Sequence, residues 1–141
     1  MVSRKLIKVI QDHSSDLARK WLQNVQKSST TPTYQTFDEK ALLERVQNVY
    51  ANLGKWLEEE TSQVEHYYTA LGAERLEEGF KLSEVLSALS ITKRVLWEHV
   101  LTQGLLDSAL DLHQALELNN QVVLFFDKAA YYVAVGYEKA G

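Results

Sequence analysis

The side chains able to do chemistry in this chain are few and poorly grouped. Four histidines stand at positions 13, 66, 99 and 113, and cysteine is absent. His66 precedes Tyr67 and Tyr68, and His99 follows Trp97 by two positions. Either imidazole, held in an apolar slot between helices, has the chemistry of an axial haem ligand. A lone histidine on a helix carries no spacing signal, however, and the haem-binding gas sensor stands only as a rival reading. A carboxylate-bridged di-metal bundle needs two Glu-x-x-His pairs facing each other, and this sequence contains none. His113 and Glu117 lie four apart and meet on one helix face. They fall short of the convergent ligand set that a metal requires.

Nucleophiles fare no better. The hydroxyl residues cluster in segment 28–33 and near helix starts, where bonding to the backbone explains them. There is no Gly-x-Ser-x-Gly elbow and no glycine-rich phosphate loop. His13, Ser14, Ser15 and Asp16 are adjacent, which scatters them around a helix instead of assembling a triad. The acidic runs, Glu58 to Glu60 and Glu74, Glu77 and Glu78, read as solvated faces and offer no acid–base pair. No catalytic residue, metal or other cofactor is expected. Arg75 and Arg94 remain, each beside apolar positions of a helical pattern. A guanidinium in such a place needs a carboxylate partner or an anion, because burying it unpaired is costly.

The elements that hold these residues are all helical. With one proline and six glycines in 141 residues, the chain has little punctuation, and its periodicity is that of helices throughout. A first helix is expected over residues 3–27, with Leu6, Ile10, Leu17, Trp21, Leu22 and Val25 on its apolar stripe. Segment 28–33, with Pro32, breaks it. Thr36 and Glu39 have the spacing of a capping box that opens a second helix, from Leu42 to Leu57. Glu58 to Glu60 form either a loop or the acidic first turn of a third helix, which closes at Gly79 as a left-handed cap. Ser83 is placed to cap a fourth helix that runs to about residue 102. Gly104 ends that helix, and Asp107 starts a fifth that continues to the end. The expected architecture is an all-α, single-domain bundle of about five helices, globin-like or four-helix-bundle-like.

Composition bounds the function. A chain of 141 residues is one domain by length, with 45% hydrophobic and 24% charged residues, as in an ordinary folded protein. The net charge of −4 argues against a nucleic-acid partner. No apolar stretch approaches the roughly 18 residues of a membrane span. The amino terminus reaches Asp12 before any long apolar run, so no signal peptide is expected, and the location is read as cytoplasmic. In the last helix Leu118, Val122, Phe125, Ala129, Tyr132 and Gly136 follow a heptad spacing, widened by Phe126, Val133 and Tyr137. That wide stripe reads either as packing within the bundle or as both packing there and pairing with a second copy. The face Val122, Phe125, Phe126, Ala129, Val133 and Tyr137 is the one expected to serve dimerisation or transmission. The helix runs on to Gly141 without punctuation, and the chain is read as the leading part of a longer protein.

The stretch from residue 70 to 97 carries the pattern Gly72-x-x-Arg75-x-x-x-Gly79-x-x-Leu82, then Val85, Ala88, Arg94 and Trp97. This resembles the amino-terminal domain of the RsbT co-antagonist family. Phe125-Phe126-Asp127-Lys128-Ala129 and Gly136-Tyr137-Glu138 are similar to the last helix of that domain where it heads sensor histidine kinases. Trp21-Leu22 and the break at Pro32 also suit it. The resemblance implies a cytoplasmic, non-catalytic sensory module of globin-like or bundle fold, without haem. It implies a homodimer, followed in the same polypeptide by an output module such as a histidine kinase, an anti-sigma-antagonist module or a transcription regulator. A stressosome-type interaction domain is the related alternative. The resemblance supplies no ligand and no binding residue.

Overall fold

The computed structural model describes residues 4–102 and 109–141. Within them lie seven α-helices, one 3₁₀ turn and no strand. The order is α1 (Arg4–Asp12), α2 (Ser14–Lys27), the 3₁₀ turn (Pro32–Gln35), α3 (Glu39–Ala51), α4 (Leu53–Glu58), α5 (Thr61–Glu77), α6 (Leu82–Thr102) and α7 (Ala109–Ala140). The all-α class agrees with the sequence reading. The helix count does not, because two of the expected helices are each broken once.

Both breaks have the same cause. At His13 the ring Nδ1 donates to the carbonyl of Val9 at 2.8 Å. At Asn52 the side-chain amide donates to the carbonyl of Asn48 at 2.8 Å. Each side chain thus reaches back four residues to an acceptor that the helix ladder also uses, and the local bond competes with continuation. The backbone at both positions leaves the helical region, with ψ at 19° and 23°.

The caps also differ from expectation, with one exception. Thr36 does not open α3: its hydroxyl donates back to Thr33 at the end of the 3₁₀ turn, and Asp38 takes the cap position without a side-chain bond. Glu39 instead accepts from Gln26 at 2.9 Å. The third helix has no acidic first turn, since Glu58 ends α4 and Glu60 precedes α5. At α6 the cap comes from Glu84, whose carboxylate accepts from the backbone N–H of Lys81 at 3.0 Å, while Ser83 lies inside the helix. Gly79 does end α5 with a positive φ of 96°. Phe80 N–H reaches the carbonyl of Arg75 and Gly79 N–H that of Leu76, which is a Schellman closure. The expected signals at Gly104 and Asp107 lie outside the described residues.

One continuous apolar core joins the helices, with Tyr50, Tyr68, Phe80, Leu96 and Leu118 fully enclosed. The most extensive pairing is α5 with α7. These two run in the same direction, as the pairs Thr61–Lys128, Gly72–Gly136 and Phe80–Tyr137 show in order. By contrast, α3 packs on α2 and stands off from α5 and α6. Side-chain straps bridge that gap: Tyr50 donates to the carbonyl of Thr92 at 2.7 Å, and Arg45 reaches Glu78 beyond the end of α5. Among the described residues no helix is long and apolar enough to cross a membrane.

Candidate functional site

The stand-off of α3 leaves a cavity of about 430 Å³ between it and the α5–α6 wall. This is within the usual size range of small-molecule sites, roughly 300–1,000 Å³. Trp21 of α2 and Tyr34 of the 3₁₀ turn contribute one side, and Leu42, Val46 and Val49 of α3 another. Tyr67, Tyr68, Leu71 and Arg75 come from α5, Val85, Ala88, Leu89 and Thr92 from α6, and Phe126 from α7. The exposed Glu44, Asn48 and Tyr67 belong to the same lining and mark its solvent side. Trp21 is fixed by an indole N–H bond to the carbonyl of Ala88 at 3.2 Å and meets Tyr34 edge-on.

One corner of this apolar space is polar. Arg75 is only 9% exposed. Its Nη1 donates to Glu78 at 3.1 Å and lies 3.7 Å from the largely solvated Glu74. Glu78 is shared, because both its oxygens also accept from Arg45, at 3.0 and 2.5 Å. Arg45 in turn lies over the ring of Phe37, 5.1 Å from its centroid. Burial pushes the Glu78 carboxyl up, but the Arg45 hydrogen bond and the two guanidinium charges outweigh it and hold it below the usual range. The Nε and Nη2 atoms of Arg75 have no partner among the described residues.

Three tyrosines feel the charge of that guanidinium. Tyr137 donates to the carbonyl of Phe80 at 2.6 Å, and burial pushes its phenol up to about 12 despite the Arg75 charge. Tyr34 and Tyr68 are 5% and 2% exposed, and burial raises both phenols strongly, again against Arg75. Neither hydroxyl has a hydrogen-bond partner among the described residues. Glu84 lies close enough to act on Tyr34 and Tyr137 but is already engaged. It accepts from Thr33 N–H at 2.6 Å, Thr33 Oγ1 at 2.7 Å and Lys81 N–H at 3.0 Å. Those bonds overcome its burial and lower its pKa.

The structure separates the two arginines that look alike in sequence. Arg75 is the buried, ion-paired one. Arg94 is exposed on α6, where it donates to Asn24 at 3.1 Å and stands 3.7 Å from Glu98. The face Val122, Phe125, Phe126, Ala129, Val133 and Tyr137 is buried inside the chain's own core. Phe125, for example, packs against Trp56 and Tyr68. In this fold those six residues join α7 to the bundle. Leu112, Leu116, Leu124 and Tyr131 of the same helix are exposed instead.

The histidines lie apart from the cavity. His66 is exposed on α5, and His113 pairs with Glu117 at 2.9 Å on the surface of α7. His99 is buried, its ring 4.9 Å from that of His13, with neither ring nitrogen hydrogen-bonded among the described residues. Burial, then the charges of His13 and Lys20, lowers its pKa, against a smaller opposing effect of Asp16. Among the described residues no three metal-ligating side chains converge.

Sequence reasoning found Arg75 but neither the cavity nor the phenols around it. Tyr34 follows a hydroxyl-rich break, and Tyr68 reads as one more residue of an apolar stripe. Against known proteins, a family model described as the RsbT co-antagonist protein rsbRD N-terminal domain matches residues 15–141. No curated protein and no solved structure matches the chain.

Proposed function

The chain belongs to the RsbT co-antagonist rsbRD N-terminal domain family, and from that premise we propose that it is a non-catalytic signal-input domain. Its state is relayed through α7 to an output module in the same polypeptide, of the histidine-kinase kind that the last-helix resemblance implies. The observation that supports a relay is the α5–α7 contact. α5 forms one cavity wall, and its backbone touches that of α7 at Gly72 and Gly136. A shift of α5 at the cavity therefore meets α7 backbone to backbone, with no compliant side chain between them. Packed interfaces of this kind respond by discrete rearrangement, not continuous deformation.

The working unit is proposed to be a homodimer. With the inner face of α7 covered, the exposed Leu112, Leu116, Leu124 and Tyr131 are the residues through which a second copy would meet it. The test joins two measurements. Size-exclusion with light scattering should give a dimer for the purified chain. Gly136→Ala in the parent protein should uncouple its output from its signal. A strict monomer at all concentrations, with output unaffected by Gly136→Ala, would remove the proposal.

A further inference from the structure

We propose that the cavity between α3 and the α5–α6 wall binds a small aryl carboxylate, with the carboxylate on Arg75, Tyr34 and Tyr68. Three observations carry this. The guanidinium of Arg75 is nine-tenths buried yet uses one of its three nitrogens, leaving Nε and Nη2 without partners among the described residues. The phenols of Tyr34 and Tyr68 line the same space and donate to nothing among the described residues. These donors are not sealed off from solvent but open on the cavity that all three residues line, where an acceptor carried by a ligand can reach them. That acceptor is anionic, since a guanidinium and neutral phenols stabilise a carboxylate far better than a neutral oxygen.

The rest of the ligand follows from the walls. Apart from those three residues the lining is mostly Trp21, Tyr67, Phe126 and aliphatic side chains of α3, α5 and α6, with Arg45 and Thr92, and with Glu44 and Asn48 at the solvent side. A flat aromatic body fits against such surfaces, and aromatic pairs add to simple area burial. A cationic amine is disfavoured by Arg75 and Arg45. A neutral amide would supply an acceptor without the charge. Carboxylate binding at Nε and Nη2 leaves Nη1 on Glu78, so the ion pair that closes α5 need not break. This inference deepens the input-domain reading by naming the input. Its test reads binding on the chain alone, so failure of binding leaves the relay standing, and failure of the relay leaves binding standing.

The experiment is calorimetric titration of the purified chain with phenylpropionate, with phenylpropionamide and phenylpropylamine as controls. The carboxylate is expected to bind saturably and to raise the melting temperature, with the amide at least about tenfold weaker. Tyr68→Phe and Tyr34→Phe remove hydroxyls that hold nothing in the unliganded fold. Each should leave the unliganded melting temperature unchanged while weakening the carboxylate by roughly tenfold. Leu89→Trp, which fills the cavity without touching Arg75, should abolish binding. Absence of saturable binding at millimolar phenylpropionate, equal affinity for the amide, or unaltered affinity in both tyrosine variants would overturn the assignment.

Discussion

Gly72 of α5 and Gly136 of α7 lie against each other where the two helices cross. A Cβ built on Gly136 would sit 3.1 Å from the Cα of Gly72 and on top of the carbonyl oxygen of Thr69. One built on Gly72 would overlap the carbonyl oxygen of Val133. Both obstacles are backbone, which cannot rotate aside as a side chain can. Gly72→Ala and Gly136→Ala are each expected to cost about 2–4 kcal/mol by forcing the helices apart. Gly54→Ala is the control, because its Cβ would meet only side-chain atoms of Gln11 and Ile7 at 3.2 Å. Urea unfolding of the three variants checks this. If Gly136→Ala is as mild as Gly54→Ala, the close crossing is not present in solution.

The Arg45–Glu78–Arg75 triad predicts an acid-sensitive fold. Glu78 and Glu84 both have lowered pKa values. Their contributions are complete above the ordinary glutamate value of 4.5 and are lost as pH falls through the lower folded values. Glu78→Gln leaves two guanidinium groups short of their shared carboxylate and should cost about 1–3 kcal/mol at neutral pH. As pH falls through the lowered folded value the variant and the parent should converge, since the parent's carboxyl is then protonated too. Thermal melts across pH decide the point. A difference that persists undiminished at the acid end would show that the loss is one of shape, not of charge.

Legibility in the sequence followed how local each feature is. Gly79 was readable because a left-handed cap after an apolar run demands glycine at one position. The burial of Val122, Phe125 and Val133 was readable from periodicity, but their partner was not, since a stripe does not say whether α5 or a second copy covers it. Arg75 and Arg94 have similar neighbours along the chain. What distinguishes them is Arg45 and Glu78, which reach Arg75 only after α3 and the Gly79 turn are in place. The cavity was the least legible feature. Its walls are mostly ordinary stripe residues from six elements, and it exists because α3 stands off from helices distant in sequence.

His99 predicts a second pH dependence, near neutrality. Its folded pKa lies below the ordinary value of 6.5, so the unfolded chain binds more protons in the window beneath that value. Stability should fall as pH drops from about 6.5 towards the folded pKa. The opposing groups are the ring of His13 and the charge of Lys20, with Asp16 acting the other way. Both nitrogens of His99 are buried without a partner among the described residues, at a cost of roughly 1–3 kcal/mol each. His99→Phe should therefore be neutral or stabilising at pH 7 and should flatten the decline below pH about 6.5. Melting curves of the variant test this, and an unchanged slope would assign the decline to another group.

Leu124 and Phe125 are adjacent on α7, yet one is 56% exposed and the other 5%. This pair separates dimerisation from folding. Phe125→Glu places a carboxylate against Trp56, Tyr68 and Phe126. The lost packing alone costs about 3–5 kcal/mol, before the burial of charge is added. Against a total stability of about 5–15 kcal/mol, that variant should be largely unfolded. Leu124→Glu adds a charge at a solvated position and should keep the parent's circular dichroism and melting temperature within a few degrees. If two copies meet along the outer side of α7, the same substitution should convert the dimer to a monomer in light scattering. A folded Leu124→Glu that stays dimeric would move the contact to another surface. Retention of fold and dimer by Phe125→Glu would contradict the packing of α7 itself.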